Sequence, residues 1–369
     1  MNKHILILGA YGLAGRCCAG LLLDHYPAAR LTLAGRRAAQ AAALAAELQQ
    51  QYPQASLTPL QLDAADGQAL RQALHGVDLL LVASSTLRHV AVVAQAALDA
   101  GVDYFDLQLS SPPKIQLLES LRASIEARGL TFITDGGFHP GIPAAMIRLA
   151  AQQLPGLTQA RVYSAIRSDW RSVQTAPTTA REMVEEFGHF SMRTLRGGTW
   201  TDAWAAVSYD FPSPYGTLSC SPMWLEELRP LPAAIPSLRD MGFFISGFNP
   251  LTDNLILPLI FMGMKVAPRL LAGPLARLFR WGLGRSRPPY GVHLIAEGRA
   301  GDRTWQMRLY HRDEYVLTAA PAVACLMQYF DQAAPSPGLW YQALYVEPTR
   351  FFADCAEMGI EVAYEAVGV

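Results

Sequence analysis

The chain has 369 residues, enough for about two domains with substantial cores. Thirty basic residues stand against 31 acidic ones, a net charge of −1, which excludes the basic footprint of a general nucleic-acid binder. Five cysteines without metal-ligand spacing, two of them adjacent (Cys17, Cys18), exclude a disulfide framework, predict no metal site, and fit a reducing, cytoplasmic setting.

The first strand is predicted at Ile5–Leu8, directly before Gly9-Ala10-Tyr11-Gly12-Leu13-Ala14-Gly15. An apolar strand, a glycine-spaced turn and then a helix is the order that brings backbone N–H groups to a pyrophosphate. Met1-Asn-Lys-His4 leads straight into this strand, so no secretory leader is expected. The second strand, Leu31–Ala34, ends in Gly35-Arg36-Arg37. An acid here would accept from a ribose 2′-hydroxyl. Two guanidinium groups instead match a 2′-phosphate in charge and geometry, which predicts NADP(H).

Further buried strands are predicted at Leu57–Leu62, Leu79–Val82, Tyr104–Asp106 and Thr131–Thr134, with helices such as Ala38–Gln51 and Val90–Ala100 between them. Such alternation describes a Rossmann-type doubly wound parallel sheet that binds its ligand at the carboxyl ends of the strands. By position, Asp63 is expected on the adenine side and Ala83, Ser84 and Ser85 near the nicotinamide ribose. No G-x-S-x-G elbow surrounds the serines, so neither is expected to be a nucleophile.

From about Gly136 the alternation stops. Strands are predicted at Val162–Ile166, Val207–Tyr209 and in a hairpin, His293–Ala300 with Trp305–His311. Thr178–Gly188 reads as a helix, and the Pro- and Gly-rich stretch 210–250 as irregular. Leu255–Trp281 is strongly apolar with spaced Arg269, Arg277 and Arg280, yet too short in its unbroken run to span a bilayer. It fits a helix pair at a pocket or subunit interface better than a segment lying on a membrane. Helices at Ala320–Gln332 and Thr349–Met358 and a strand at Ile360–Tyr364 complete the chain.

For the chemistry, His139 follows the sixth strand inside Asp135-Gly-Gly-Phe-His-Pro-Gly-Ile142. Its ordinary pKa suits a proton donor near the nicotinamide, although a histidine packing or capping the next helix has the same local sequence. Asp106 and Asp135 end adjacent strands and either serve that site or cap helices. Tyr163, His189 and Tyr215 are secondary candidates in the second domain.

Four stretches, GAYGLAG (9–15), LAGRR (33–37), ALDAGVDYFD (97–106) and DGGFHPGI (135–142), resemble the saccharopine dehydrogenase-like family. The resemblance is good over residues 1–145, looser over the last 70 and poor between. It implies an α/β protein: a Rossmann domain at 1–137, completed by about 318–369, and an inserted α+β domain at 138–317 with a mainly antiparallel sheet that shapes the substrate site and a homodimer. It further implies an NADP(H)-dependent oxidoreductase reducing a C=N or C=O bond of a small molecule. A trans-acting enoyl reductase on lipid-like or thioester substrates, or a non-catalytic NADP-binding module, are the alternatives. His139 stands where many relatives carry an acid before Pro-Gly, which weakens an amino-acid substrate.

Overall fold

The computed structural model describes residues 3–170, 181, 183–184, 191–332 and 335–367. The chain forms two compact units, the first comprising Met1–Ala145 with Tyr315–Gly359, the second Met146–Glu314 with Ile360–Val369.

The first unit is built on a seven-stranded parallel sheet. Its strands are β1 (His4–Leu8), β2 (Arg30–Gly35), β3 (Ser56–Gln61), β4 (Leu79–Val82), β5 (Asp103–Asp106), β6 (Thr131–Thr134) and β15 (Gly338–Tyr341). They lie in the order β15-β6-β5-β4-β1-β2-β3. The helices between them are α1 (Leu13–His25), α2 (Ala38–Gln51), α3 (Gly67–Ala73), α4 (Val90–Ala100) and α5 (Pro112–Ala127); α6 (Pro143–Gln153) follows β6. Strands such as Leu79–Val82 are apolar at every position because helices cover both faces of the sheet. Strand order reverses between β1 and β4, and that switch point opens the crevice in which this architecture binds ligands.

The later helices Glu314–Asp331 and Pro348–Glu357 fall largely within the first unit, and β15 pairs with β6 from Gly338↔Thr131 to Tyr341↔Thr134.

The second unit carries a mixed sheet with the main order β10-β11-β12-β7-β13-β14-β16. These are β7 (Gln159–Arg167), β10 (Val207–Phe211), β11 (Gly216–Met223), β12 (Asp240–Ser246), β13 (Gly291–Ala300), β14 (Arg303–His311) and β16 (Glu361–Val367). The short hairpin β8 (Arg193–Arg196) and β9 (Thr199–Asp202) attaches through β12. Only β7 and β12 run parallel along the main order.

Two expectations need correction. The last strand does not complete the Rossmann sheet: β16 pairs antiparallel with β14, from Thr304↔Val367 to Tyr310↔Glu361. Its N–H and C=O groups satisfy an edge of the second sheet. The stretch 210–250 also contains two strands, since Phe243, Phe244 and Ile245 of β12 sit between β11 and β7. The helix expected at Thr178–Gly188 lies mostly outside the described residues.

Candidate cofactor and reaction site

Each glycine of the first turn has a steric reason. Gly9 has φ +92°, and a Cβ there would lie 2.6 Å from the Ser84 Cβ and 3.0 Å from the Ala83 carbonyl oxygen. The turn therefore nests against the loop after β4. A Cβ at Gly15 would collide with the Gly9 carbonyl, so the first turn of α1 packs on the strand end only as glycine. The Gly9 and Ala10 N–H groups both donate to the Ala34 carbonyl, at 2.8 and 3.1 Å, tying the turn to the end of β2. Gly12 caps α1 in an extended conformation without any side-chain cap, which leaves the first N–H groups of the helix as anion donors.

Arg36 and Arg37 are exposed at the end of β2. Arg37 is held by Tyr11, whose role exceeds what the glycine spacing suggested. The Tyr11 hydroxyl accepts from the Arg37 backbone N–H at 3.0 Å, and the Arg37 guanidinium lies 5.8 Å from the Tyr11 ring centre. The ring fills the space that any side chain at Gly35 would need. An absent acid, two exposed guanidiniums and a bare helix N-terminus on one strand edge suit a phosphorylated dinucleotide.

Ala10, Tyr11, Gly12, Leu13 and Ala14 all lie on the turn or the first turn of α1, and Gly35, Arg36 and Arg37 at the end of β2. Asp63 lies just beyond β3, exposed, with its carboxylate accepting from the Ala65 N–H at 3.0 Å. Ala83, Ser84 and Ser85 follow β4. Sequence reasoning missed Gln108, which links the loops after β4 and β5. Its Nε2 donates to Thr86 Oγ1 at 2.7 Å and to the Ser84 carbonyl at 3.3 Å. Its Oε1 is buried without a hydrogen-bond partner among the described residues, an acceptor of the kind a bound polar group satisfies.

Asp106 is held in an internal ion-pair and hydrogen-bond network. It is completely buried. Oδ1 accepts from Lys114 Nζ at 3.0 Å and the Gln108 N–H at 3.0 Å, and Oδ2 from Thr134 Oγ1 at 2.7 Å. Lys114, equally buried, also donates to Asp135 Oδ1 at 2.7 Å and the Gln108 carbonyl at 2.9 Å. Burial alone would lower the Lys114 ammonium, but Asp106 and Asp135 outweigh it and raise its pKa. Burial raises the Asp135 carboxyl, with Lys114 opposing. Asp135 is also the one residue other than glycine among those described with a left-handed backbone, φ 57°. The triad clamps the carboxyl ends of β5 and β6 and positions the loops beyond them.

His139 lies in the turn between β6 and α6, its ring 4.0 Å from the Phe138 ring centre. The residue is partly accessible while Nε2 is shielded from solvent. Desolvation lowers its pKa from 6.5 to about 4, so the ring is an uncharged imidazole at neutral pH. The sequence alone predicts an ordinary pKa suited to proton donation near neutrality, and burial lowers it instead. Gln342, fully buried, holds the turn: Oε1 accepts from the Gly137 N–H at 3.1 Å, and Nε2 donates to the Gly137 and Gly141 carbonyls at 3.0 and 3.1 Å.

The secondary candidates Tyr163 and Tyr215 belong to the second unit. Tyr163 is sandwiched by Tyr209 and Phe244 at 3.9 and 5.4 Å in the core of the second unit. Tyr215 packs edge-on against His293 and under the Arg167 guanidinium. Both rings are engaged in aromatic packing; His189 lies outside the described residues. No group of metal-ligating side chains occurs among the described residues.

Residues 5–133 match the family described as the saccharopine dehydrogenase NADP-binding domain. No curated protein sequence matches the chain. Among solved structures, apo saccharopine dehydrogenase (L-Glu forming) from Saccharomyces cerevisiae is similar at a TM-score of 0.65 and 16% identity, over 100% of both chains. Biliverdin reductase from Synechocystis sp. PCC 6803, in complex with biliverdin and NADP+, gives 0.42 and 13% over 96% of this chain and 98% of that one. The whole-chain likeness to the yeast enzyme describes a shared fold. The cofactor is NADP(H), and residues 5–133 are the part of the chain that matches the NADP-binding domain of the saccharopine dehydrogenase family.

Proposed function

We propose that this chain is an NADPH-dependent oxidoreductase that reduces a C=N or C=O bond of a small molecule. The observation that carries the reading is the edge formed by Gly9, Tyr11, Arg36 and Arg37, a phosphate-recognising corner beside the switch point of a parallel sheet. NADPH, when bound, supplies the hydride. The turn after β6 supplies His139, whose neutral ring donates a hydrogen bond to the oxygen or nitrogen that gains negative charge. A neutral imidazole polarises such a group without being consumed as an acid, and water then provides the product proton. The Lys114–Asp106–Asp135 clamp and Gln342 hold that turn in place. Substrate contacts are assigned to His139 and cofactor contacts to Arg36, Arg37, Gln108 and the glycine turn.

The test is to follow NADPH absorbance with three substrate panels: 2-oxo acids with amines, simple aldehydes and ketones, and enoyl thioesters. Turnover with the first or second panel supports the proposal. Turnover with enoyl thioesters alone replaces it with C=C reduction, and tight NADPH binding without turnover on any panel replaces it with a binding module.

A further inference from the structure

The second unit contains a helix pair that buries one face and leaves an apolar face bare. The helix Leu257–Val266 turns its Ile260 and Met264 inward, and the helix Pro268–Leu283 turns its Ala272, Ala276, Phe279 and Leu283 inward, into one core cluster. Leu259, Met262 and Val266 recur at helical spacing on the opposite side, preceded by Leu255 in the entering turn. Leu270 and Trp281 are exposed on the second helix. Val266 and Leu270 are 78% and 79% accessible, values rare for aliphatic side chains in a folded protein. With Trp204 these make seven of the nine exposed large hydrophobic residues among those described.

Charge identifies the partner. Between Asp253 and Glu297 no acidic residue occurs, whereas Lys265, Arg269, Arg277, Arg280, Arg285 and Arg287 do, in a chain of net charge −1. All six are exposed. Two of these cations lie over exposed indoles: Lys265 Nζ 5.2 Å from the Trp204 ring, and the Arg285 guanidinium 4.0 Å from Trp281. Exposed aliphatics with tryptophans and a purely cationic fringe fit a surface with hydrocarbon below and negative headgroups above it. No described helix is long and apolar enough to cross a membrane, so contact of this kind is interfacial.

We propose that these paired helices dock the protein on an anionic lipid bilayer, with Leu259, Met262, Val266 and Leu270 entering the headgroup boundary and the arginines pairing with lipid phosphates. The surface is independent of which bond the enzyme reduces.

Co-sedimentation of the full chain with phosphatidylcholine vesicles, with and without about one-third phosphatidylglycerol, tests it. The bound fraction is expected to rise at least about fivefold with the anionic lipid and to fall in about 0.5 M NaCl, where charges are screened beyond a few ångströms. Met262→Glu with Leu270→Glu, and separately Arg277→Glu with Arg280→Glu, are expected to cut it about tenfold or more while leaving NADPH affinity unchanged. Wild-type protein that stays in the supernatant with both vesicles overturns the proposal, as do variants that pellet like the wild type. So does a dimer that Met262→Glu with Leu270→Glu splits into monomers while neither form binds vesicles, since the face then seats a second copy.

Discussion

The hydroxyl of Tyr11 accepts the backbone N–H of Arg37 at 3.0 Å, so a residue of the glycine turn fixes the corner that presents the two arginines. On the proposed cofactor placement, the pyrophosphate turn and the 2′-phosphate corner are coupled through this one side chain. Arg36→Ala or Arg37→Ala is expected to weaken NADPH binding roughly tenfold or more while sparing NADH, since a charge-assisted pair contributes about 1.5–3 kcal/mol. Fluorescence titration of both cofactors measures it, and equal NADPH and NADH affinities in the wild type would refute the assignment.

Tyr11→Phe isolates the brace from the charges. It keeps the ring against Gly35 and removes one hydrogen bond of about 1 kcal/mol, so NADPH affinity is expected to drop about fivefold with the melting temperature nearly unchanged. An unchanged NADPH affinity would show that the arginines are held without it.

The buried Lys114 is a stability residue of high consequence. Removing its ammonium leaves Asp106 and Asp135 facing each other without a counter-charge. Lys114→Met is therefore expected to destabilise the chain by about 3–5 kcal/mol, read from denaturant unfolding. Adding Asp135→Asn should restore part of the loss. A melting curve like that of the wild type would mean the triad does not clamp β5 and β6.

The parallel sheet was legible because its strands are short apolar runs separated by helical periods; Leu79–Val82, Ala38–Gln51 and Val90–Ala100 have the bounds their patterns predict. Strand β12 was not, since Pro and Gly on either side of Phe243–Ile245 read as loop while tertiary pairing supplies the ladder. The four-residue β15 is too short for any period and exists through its pairing with β6. In the site, glycines and arginines announce themselves by local order. Lys114 and Gln342 do not: a lysine opening a helix is usually solvated, and Gln342 meets Gly137 from 205 residues away.

His139 carries a pH prediction of definite sign. Its folded pKa, about 4, lies below the ordinary 6.5, so between these values the unfolded chain binds the proton and the folded ring does not. Its contribution to stability is thus complete above pH 6.5 and is lost as pH falls towards 4. His139→Gln is expected to flatten the rise in unfolding free energy across this window. A slope identical to the wild type would mean the ring is solvated and titrates normally.

Turnover separates the functional role of the same residue from that of its support. If neutral His139 polarises the acceptor, His139→Ala lowers kcat far more than NADPH affinity, and the wild-type kcat profile shows no break from this ring near 6.5. Gln342→Leu acts differently. It strips hydrogen bonds from the buried Gly137 N–H and the Gly137 and Gly141 carbonyls, at a cost of about 2–4 kcal/mol in stability. The turn then moves, so kcat falls together with the melting temperature. A His139→Ala variant that loses stability but keeps kcat would make the histidine a packing residue.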